Sequence, residues 1–272
     1  MKIAITGANG LIGSRIVELL DKNFTFVTIS HQELDITDKD QVKSKFEKLD
    51  YDLLLHLAAY TNVDRAEEEK NIAHDINVNG TKNLLNAVME NNRKMIYLST
   101  DFVFDGKNPP YDETSIPNPV GYYGKSKYEA EKIVLGKAMI VRISYPYGKS
   151  PAQKPDFVQK IRKLLEKNTK LKMVTDSKMT PTHIDDITFG LRYLMENFKP
   201  ELQHLVGSKT YSPYEAGLLI AKRYKLDPKL IDKTTFQEYS KGKSPRPQNS
   251  EIISRTNHFH KMKSFEEGLK EC

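Results

Sequence analysis

Cysteine is almost absent: Cys272, the last residue, is the only one among 272. A disulfide framework and a cysteine-based metal site are therefore excluded, and a reducing cytosol is the natural compartment. Long hydrophobic runs are also missing. The longest, Leu53 to Tyr60, is too short to span a bilayer. Neither a charged leader nor a cleavage site precedes the first apolar strand at Lys2, so secretion and membrane association are not expected and a cytoplasmic protein is. Nor is charge of one sign concentrated. The net +6 arises from 42 basic against 36 acidic residues interleaved along the chain, which argues against a nucleic-acid partner and suits a basic cleft for an anionic small substrate. No internal repeat and no flexible interdomain linker interrupt the chain.

What is present begins at once. Lys2-Ile3-Ala4-Ile5-Thr6 has the apolar, β-branched character of a buried strand, and Leu11, Ile12, Ile16, Val17, Leu19 and Leu20 recur at helical spacing behind it. Between them lies Gly7-Ala8-Asn9-Gly10-Leu11-Ile12-Gly13. A glycine-rich handover from strand to helix lets the backbone turn tightly and approach a pyrophosphate, whose charge meets the free N–H groups of the helix start. The spacing is Gly-x-x-Gly-x-x-Gly, and the plainer alternative is a tight turn that binds nothing.

Strands and helices then alternate. Phe24 to Ile29, Asp52 to Leu57, Met95 to Leu98 and Met139 to Ile143 read as strands; Lys39 to Leu49, Asn71 to Glu90 and Tyr122 to Leu135 read as helices. This predicts an α/β fold with a doubly wound parallel sheet of the Rossmann type, whose ligands gather at the carboxyl ends of the strands. Beyond Ser144 the regularity weakens into a helix over Asp156 to Lys167, a strand near Leu171 to Val174, helices over Asp185 to Asn197 and Pro213 to Tyr224, and a proline-rich basic loop from Lys241 to Ser250. We expect a dinucleotide-binding domain over 1–145 and a smaller α/β substrate lobe over 146–272, some of whose segments return to the first.

Two further sites carry chemistry. Tyr123 and Lys127 stand four apart on a helix and project from one face. A phenol is a poor acid–base group at neutral pH unless neighbouring cations favour its ionised form, and a nearby ammonium together with a cationic nicotinamide is expected to lower it. Tyr128 and Lys132 make the same match, but Tyr123 opens its helix after a loop that can reach the strand ends, whereas Tyr128 lies a turn further in. Ser99-Thr100-Asp101 directly follows a strand, where a hydroxyl could bond both the tyrosine and a substrate oxygen; an ordinary Ser/Thr turn is the alternative. His183 with Asp185 and Asp186 has the composition of a metal site, but consecutive acids at a helix start are more simply accounted for by the helix dipole, and no metal is expected.

These sites, in this order, resemble an extended short-chain dehydrogenase/reductase. Ala58-Ala59-Tyr60-Thr61-Asn62-Val63-Asp64-Arg65-Ala66-Glu67, Ser99-Thr100-Asp101-Phe102-Val103-Phe104-Asp105-Gly106, Tyr123-Gly124-Lys125-Ser126-Lys127 and Arg246-Pro247-Gln248-Asn249-Ser250 are similar to segments of the dTDP-4-dehydrorhamnose reductase family. The resemblance implies NAD(P)H-dependent reduction of a 4-keto group on a nucleotide-linked deoxysugar. It implies Tyr123 as the proton donor, Lys127 as its tuner and Thr100 as the residue that orients the substrate. Gly7, Asn9, Gly10, Leu11, Ile12 and Gly13 would hold the pyrophosphate, Asp35 and Ile36 would flank the adenine, and Leu57, Ala58, Ala59, Tyr60 and Ser99 would line the cofactor. Asp101, Phe102, Val103, Tyr145 and Arg246 would meet the substrate.

Ser30 and His31 follow the second strand where an acid would ordinarily bind the ribose diol, which favours NADP(H), with NAD(H) as the alternative. Two departures from the family bear on the substrate: Tyr145 stands where a tryptophan is usual, and Pro181-Thr182-His183-Ile184-Asp185-Asp186 resembles other extended reductases. Phe102 occupies the position where a dehydratase would carry a glutamate. A 4-epimerase, which uses the same tyrosine and lysine, and a regulatory subunit of the methionine adenosyltransferase β type stay open as alternatives, and some relatives form homodimers.

Overall fold

β1 (Lys2–Thr6) is buried from Ile3 to Thr6 and lies in the middle of a layered α/β structure; the computed structural model describes all 272 residues. It leads into α1 (Leu11–Leu20), β2 (Thr25–Ile29), α2 (Lys39–Lys48) and β3 (Leu53–His56). Asp38 caps α2, its carboxylate accepting from the N–H groups of Asp40 and Gln41. Next come α3 (Arg65–Glu68), α4 (Lys70–His74), a π-helical turn over Asp75–Gly80, α5 (Thr81–Glu90), β4 (Lys94–Thr100), α6 (Tyr122–Val134) and β5 (Met139–Ile143). The remainder comprises β6 (Pro146–Tyr147), α7 (Phe157–Glu166), β7 (Leu171–Val174), β8 (Lys178–Met179), β9 (Thr182–His183), α8 (Ile184–Glu196), β10 (Leu202–His204), α9 (Pro213–Tyr224), β11 (Ile231–Thr234), α10 (Phe236–Ser240), β12 (Asn249–Ser250) and α11 (Phe265–Leu269).

Six strands form one parallel sheet in the order β10-β5-β4-β3-β1-β2. One face is covered by α1 and α8, with Ile16, Leu20, Ile187 and Leu191 in the core, and the other by α2, α5 and α6, with Val42, Phe46, Leu84 and Val134. This is the doubly wound arrangement that the alternation predicts. Strands buried on both faces read as continuous apolar runs, as Leu53-Leu54-Leu55 does.

The structure departs from the expected elements in several places, the short strands β6, β8, β9 and β11 and the helices α10 and α11 among them. The helix predicted over Asn71 to Glu90 contains the π-helical turn, and there Asn77 accepts from the Tyr60 N–H at 2.8 Å and donates to Ser126 Oγ at 2.9 Å. A period of hydrophobic residues does not register such a turn. β10 was not anticipated, because three residues after a helix carry too little pattern; its pairing with β5, Leu202 opposite Ile140, reveals it. The basic loop from Lys241 ends in β12, which pairs with β8.

Three two-stranded sheets follow: β12 with β8 and β6 with β9 contribute Met179 and Tyr147 to a second core that includes Val158, Ile220 and Phe265, and β11 with β7 packs on a smaller cluster of Leu165, Ala221 and Ile231. No helix is long and apolar enough to cross a membrane.

Candidate active site

The glycine turn is shaped by close backbone approach. Gly7 has φ +75°, and a Cβ there would lie 2.8 Å from the Ala58 nitrogen; a Cβ on Gly13 would lie 2.3 Å from the Gly7 carbonyl oxygen. The Gly10 N–H donates to the Gly7 carbonyl at 3.0 Å, and α1 then starts without a side-chain cap. Its first N–H groups are thus left to whatever occupies the cavity in front of them.

That cavity, of about 820 Å³, follows the carboxyl ends of the strands. The expected residues Gly7, Asn9, Gly10, Leu11, Ile12 and Gly13 line it, as do Ser30, His31, Asp35 and Ile36 beyond β2 and Leu57, Ala58 and Ala59 beyond β3. Ser99, Thr100, Asp101, Phe102, Tyr123, Lys127 and Tyr145 line the rest. Three expected residues do not. Tyr60 turns its hydroxyl to Glu69, Val103 is fully buried against Phe104 and Tyr111, and Arg246 pairs with Asp64 and donates from Nε to the Ser244 carbonyl at 3.1 Å. Arg246 braces the 241–248 segment against the loop before α3. Asp35 lies along the cavity, but its carboxylate accepts from the Thr37 N–H and hydroxyl at 2.9 and 2.8 Å.

Tyr123 and Lys127 are delivered by the start of α6, which is pressed onto the turn after β4: a Cβ on Gly124 would lie 2.1 Å from the Phe102 carbonyl oxygen. The Tyr123 ring meets Phe102 edge-on at 5.7 Å. Lys127 is 3% exposed; its Nζ donates to the Leu98 carbonyl at 2.8 Å and sits 4.1 Å from the centre of the Tyr97 ring. Burial pushes the Tyr123 phenol up to about 12 and the Lys127 ammonium down to about 7. Among the protein's own groups, burial therefore outweighs Lys127 at Tyr123. Desolvation dominates at both groups and drives each toward its neutral form, while the lysine head is directed at Leu98 and Tyr97. The second tyrosine–lysine match is a packing feature: Tyr128 lies against the cluster around Phe104, with Lys132 Nζ 4.9 Å from its ring centre.

Thr100 Oγ1 donates to Asp101 Oδ1 at 3.0 Å and accepts from the Phe102 N–H at 3.2 Å. Asp101 is buried and also accepts from Ser144 Oγ at 2.9 Å; burial lifts its carboxyl to about 6. Ser99 Oγ, buried in the wall of the same cavity, has no partner within the protein. An unpartnered hydroxyl, an uncapped helix start and a turn with no room for side chains together fit a dinucleotide.

Some lining residues were missed by sequence reasoning. Lys154, Phe157 and Lys160 reach the cavity from the second core, and Lys154 Nζ donates to Thr61 Oγ1 at 3.3 Å. Their only signal is the local run of basic and proline residues. Tyr145, at φ +41°, meets Phe157 edge-on at 6.1 Å. Asp185 and Asp186 do more than face the helix dipole. Asp185 takes two bonds from Arg15, at 2.7 and 2.8 Å, and Asp186 accepts from Lys263 Nζ at 2.8 Å, while His183 packs on the Tyr147 ring.

Comparison with known proteins gives consistent matches. The family described as RmlD substrate binding domain matches residues 1–272. The dTDP-4-dehydrorhamnose reductase of Aggregatibacter actinomycetemcomitans is 32% identical, over 92% of this chain and 89% of its own. The crystal structure of dTDP-4-dehydrorhamnose reductase from Bacillus anthracis in complex with NADP is 32% identical with a TM-score of 0.92, covering 99% of this chain and 97% of that one. The methionine adenosyltransferase 2 subunit beta of Bos taurus is 29% identical over 83% of this chain and 72% of its own.

Proposed function

The chain belongs to the RmlD substrate binding domain family, and from that membership and the make-up of the cleft we propose that it reduces the 4-keto group of a nucleotide-linked deoxysugar, dTDP-4-dehydro-L-rhamnose, to give dTDP-L-rhamnose. The observation that carries this reading is a single cavity walled at one end by the glycine turn and at the other by Thr100, Tyr123 and Lys127. NADP(H) is the cofactor, and it supplies the hydride that reaches C4 of the sugar. Gly7, Gly10 and Gly13 with the first N–H groups of α1 would hold its pyrophosphate, with the buried, unpartnered Ser99 hydroxyl close behind the cavity wall.

The protein's part is to hold the carbonyl and deliver one proton. Tyr123 gives its phenolic proton to the carbonyl oxygen as the C4 centre becomes tetrahedral. A phenol pushed up to about 12 is fully protonated at neutral pH, as a donor must be. Thr100 positions the substrate oxygen beside it. Lys127 carries the charge that favours the phenolate left behind, and its own low value makes it ready to pass on a proton at neutral pH. Lys154 and Lys160 give the cavity the positive charge that a diphosphate requires. Both co-substrates are cytoplasmic metabolites, so the cytoplasm is the compartment we infer.

The test follows nicotinamide absorbance with purified protein, NADPH and dTDP-4-dehydro-L-rhamnose. We expect sugar-dependent oxidation of NADPH, and Tyr123→Phe to bind NADP⁺ normally while losing at least about a hundredfold in kcat. Near-normal turnover in that variant would remove Tyr123 from the chemistry. Dinucleotide binding without turnover would favour a non-catalytic subunit, the Bos taurus relative being named a subunit of methionine adenosyltransferase 2.

A further inference from the structure

β2 is an edge strand of the large sheet, and Ser30, which follows it, lies in the wall of the cavity. In a fold of this kind, the residues beyond the second strand meet the adenosine ribose, where NAD and NADP differ. Neither Ser30 nor His31 is acidic, which would leave the position open to a 2′-phosphate. The structure ties Ser30 to an acid that stands outside the cavity wall. The Glu33 carboxylate accepts from both the Ser30 N–H and the Ser30 hydroxyl, each at 2.8 Å, while the Glu33 N–H returns to the Ser30 carbonyl at 3.1 Å. One carboxylate oxygen therefore takes the two donors at the end of β2.

We infer that Glu33 sets the choice between NADP(H) and NAD(H), its carboxylate holding the Ser30 donors that a 2′-phosphate would otherwise take. The inference rests on the dinucleotide reading of the cleft. A 2′-phosphate must displace Glu33 and then tolerate its charge nearby, whereas a ribose with a free 2′-hydroxyl meets no such repulsion. Glu33 does not itself line the cavity: it is exposed in a shallow groove with Lys45 and Lys48 of α2 and reaches the dinucleotide site through Ser30. The charge of Lys45 already favours its ionised form, after the larger effect of the Ser30 hydrogen bonds.

The decisive experiment titrates NADP⁺ and NAD⁺ into the wild-type chain and Glu33→Gln by calorimetry, with no sugar present. The glutamine keeps an acceptor for Ser30 and so preserves the turn while removing the charge. Relief of one close like-charge contact at the surface predicts NADP⁺ binding tighter by about tenfold, with NAD⁺ unchanged within about twofold. Adding Ser30→Ala should remove part of the NADP⁺ gain. Equal shifts for both dinucleotides, or none, would reduce Glu33 to a brace for the turn and overturn the inference. A wild-type chain that binds neither dinucleotide would overturn the cofactor reading and this inference with it.

Discussion

Replacing Lys127 by methionine should abolish turnover and yet change stability in a direction that depends on pH. Lys127 is buried, and its ammonium is pushed down to about 7 from the ordinary 10.5. Between those values the unfolded chain holds a proton that the folded chain does not, so the wild-type protein becomes more stable as pH rises through this window. The contribution is fully present above the unfolded value and is lost as pH falls through about 7. Integrating from about pH 7 to about pH 10 gives about 3 kcal/mol, which for a chain of this length is roughly 6 °C in Tm.

Methionine cannot titrate and lacks this dependence. It also loses the bond to the Leu98 carbonyl, worth about 1 kcal/mol, which the neutral amine makes as well; the attraction of the Tyr97 ring acts only on the ammonium and so belongs to the titration. The measurement is therefore the difference in Tm between variant and wild type across this range, without added dinucleotide. The variant should stand best relative to wild type near neutrality and fall behind by several degrees near about pH 10. A difference that stays flat would mean that Lys127 is charged and well solvated in the folded protein, which would refute the account of a desolvated lysine.

Two further predictions test the supports of the site. Gly124→Ala sets a Cβ 2.1 Å from the Phe102 carbonyl oxygen, so α6 must shift and carry Tyr123 with it. We expect a loss of about 2–3 kcal/mol in denaturant unfolding, with kcat falling more than NADP⁺ affinity. Asp101 has a carboxyl lifted to about 6, so its stabilising contribution is present below the unfolded value and is lost as pH rises through about 6. Relative to wild type, Asp101→Asn should therefore gain about 1 kcal/mol in thermal unfolding between about pH 5 and pH 7 and no more above that; a gap that stays flat would show Asp101 to be well solvated.

The parts of this fold that were legible in the sequence are those whose signal is local. β1, the glycines and α1 occupy contiguous residues, and each follows from a pattern that needs no partner: apolar run, tight turn, helical period. Tyr123 and Lys127 could be placed on one helical face for the same reason. What stayed hidden depends on contact between distant residues. β10 exists because β5 is beside it, and the π-helical turn draws Asn77 to Tyr60 and Ser126. Val103 belongs to a motif segment whose neighbours line the cavity, yet the turn after β4 faces it into the core, which no motif states. Arg246 likewise reads as a ligand for an anion until its ion pair with Asp64 is seen.

The least legible property was the electrostatic one, and it bears most on mechanism. Spacing alone makes Lys127 a neighbour of Tyr123 and suggests a simple cation beside a phenol. Burial reverses the expected balance: the lysine is moved toward neutrality, the phenol away from ionisation, and Asp101 toward its protonated form. Each shift runs toward the neutral form and lowers the cost of keeping these groups out of water: at neutral pH Tyr123 is protonated and Lys127 only partly charged, while Asp101 is still mostly ionised. A site built in this way holds its proton on Tyr123 until a carbonyl oxygen arrives to take it. Its ionisable residues destabilise the fold at the same point at which they serve the reaction, which is why removing the Lys127 charge should help stability near neutrality while ending turnover.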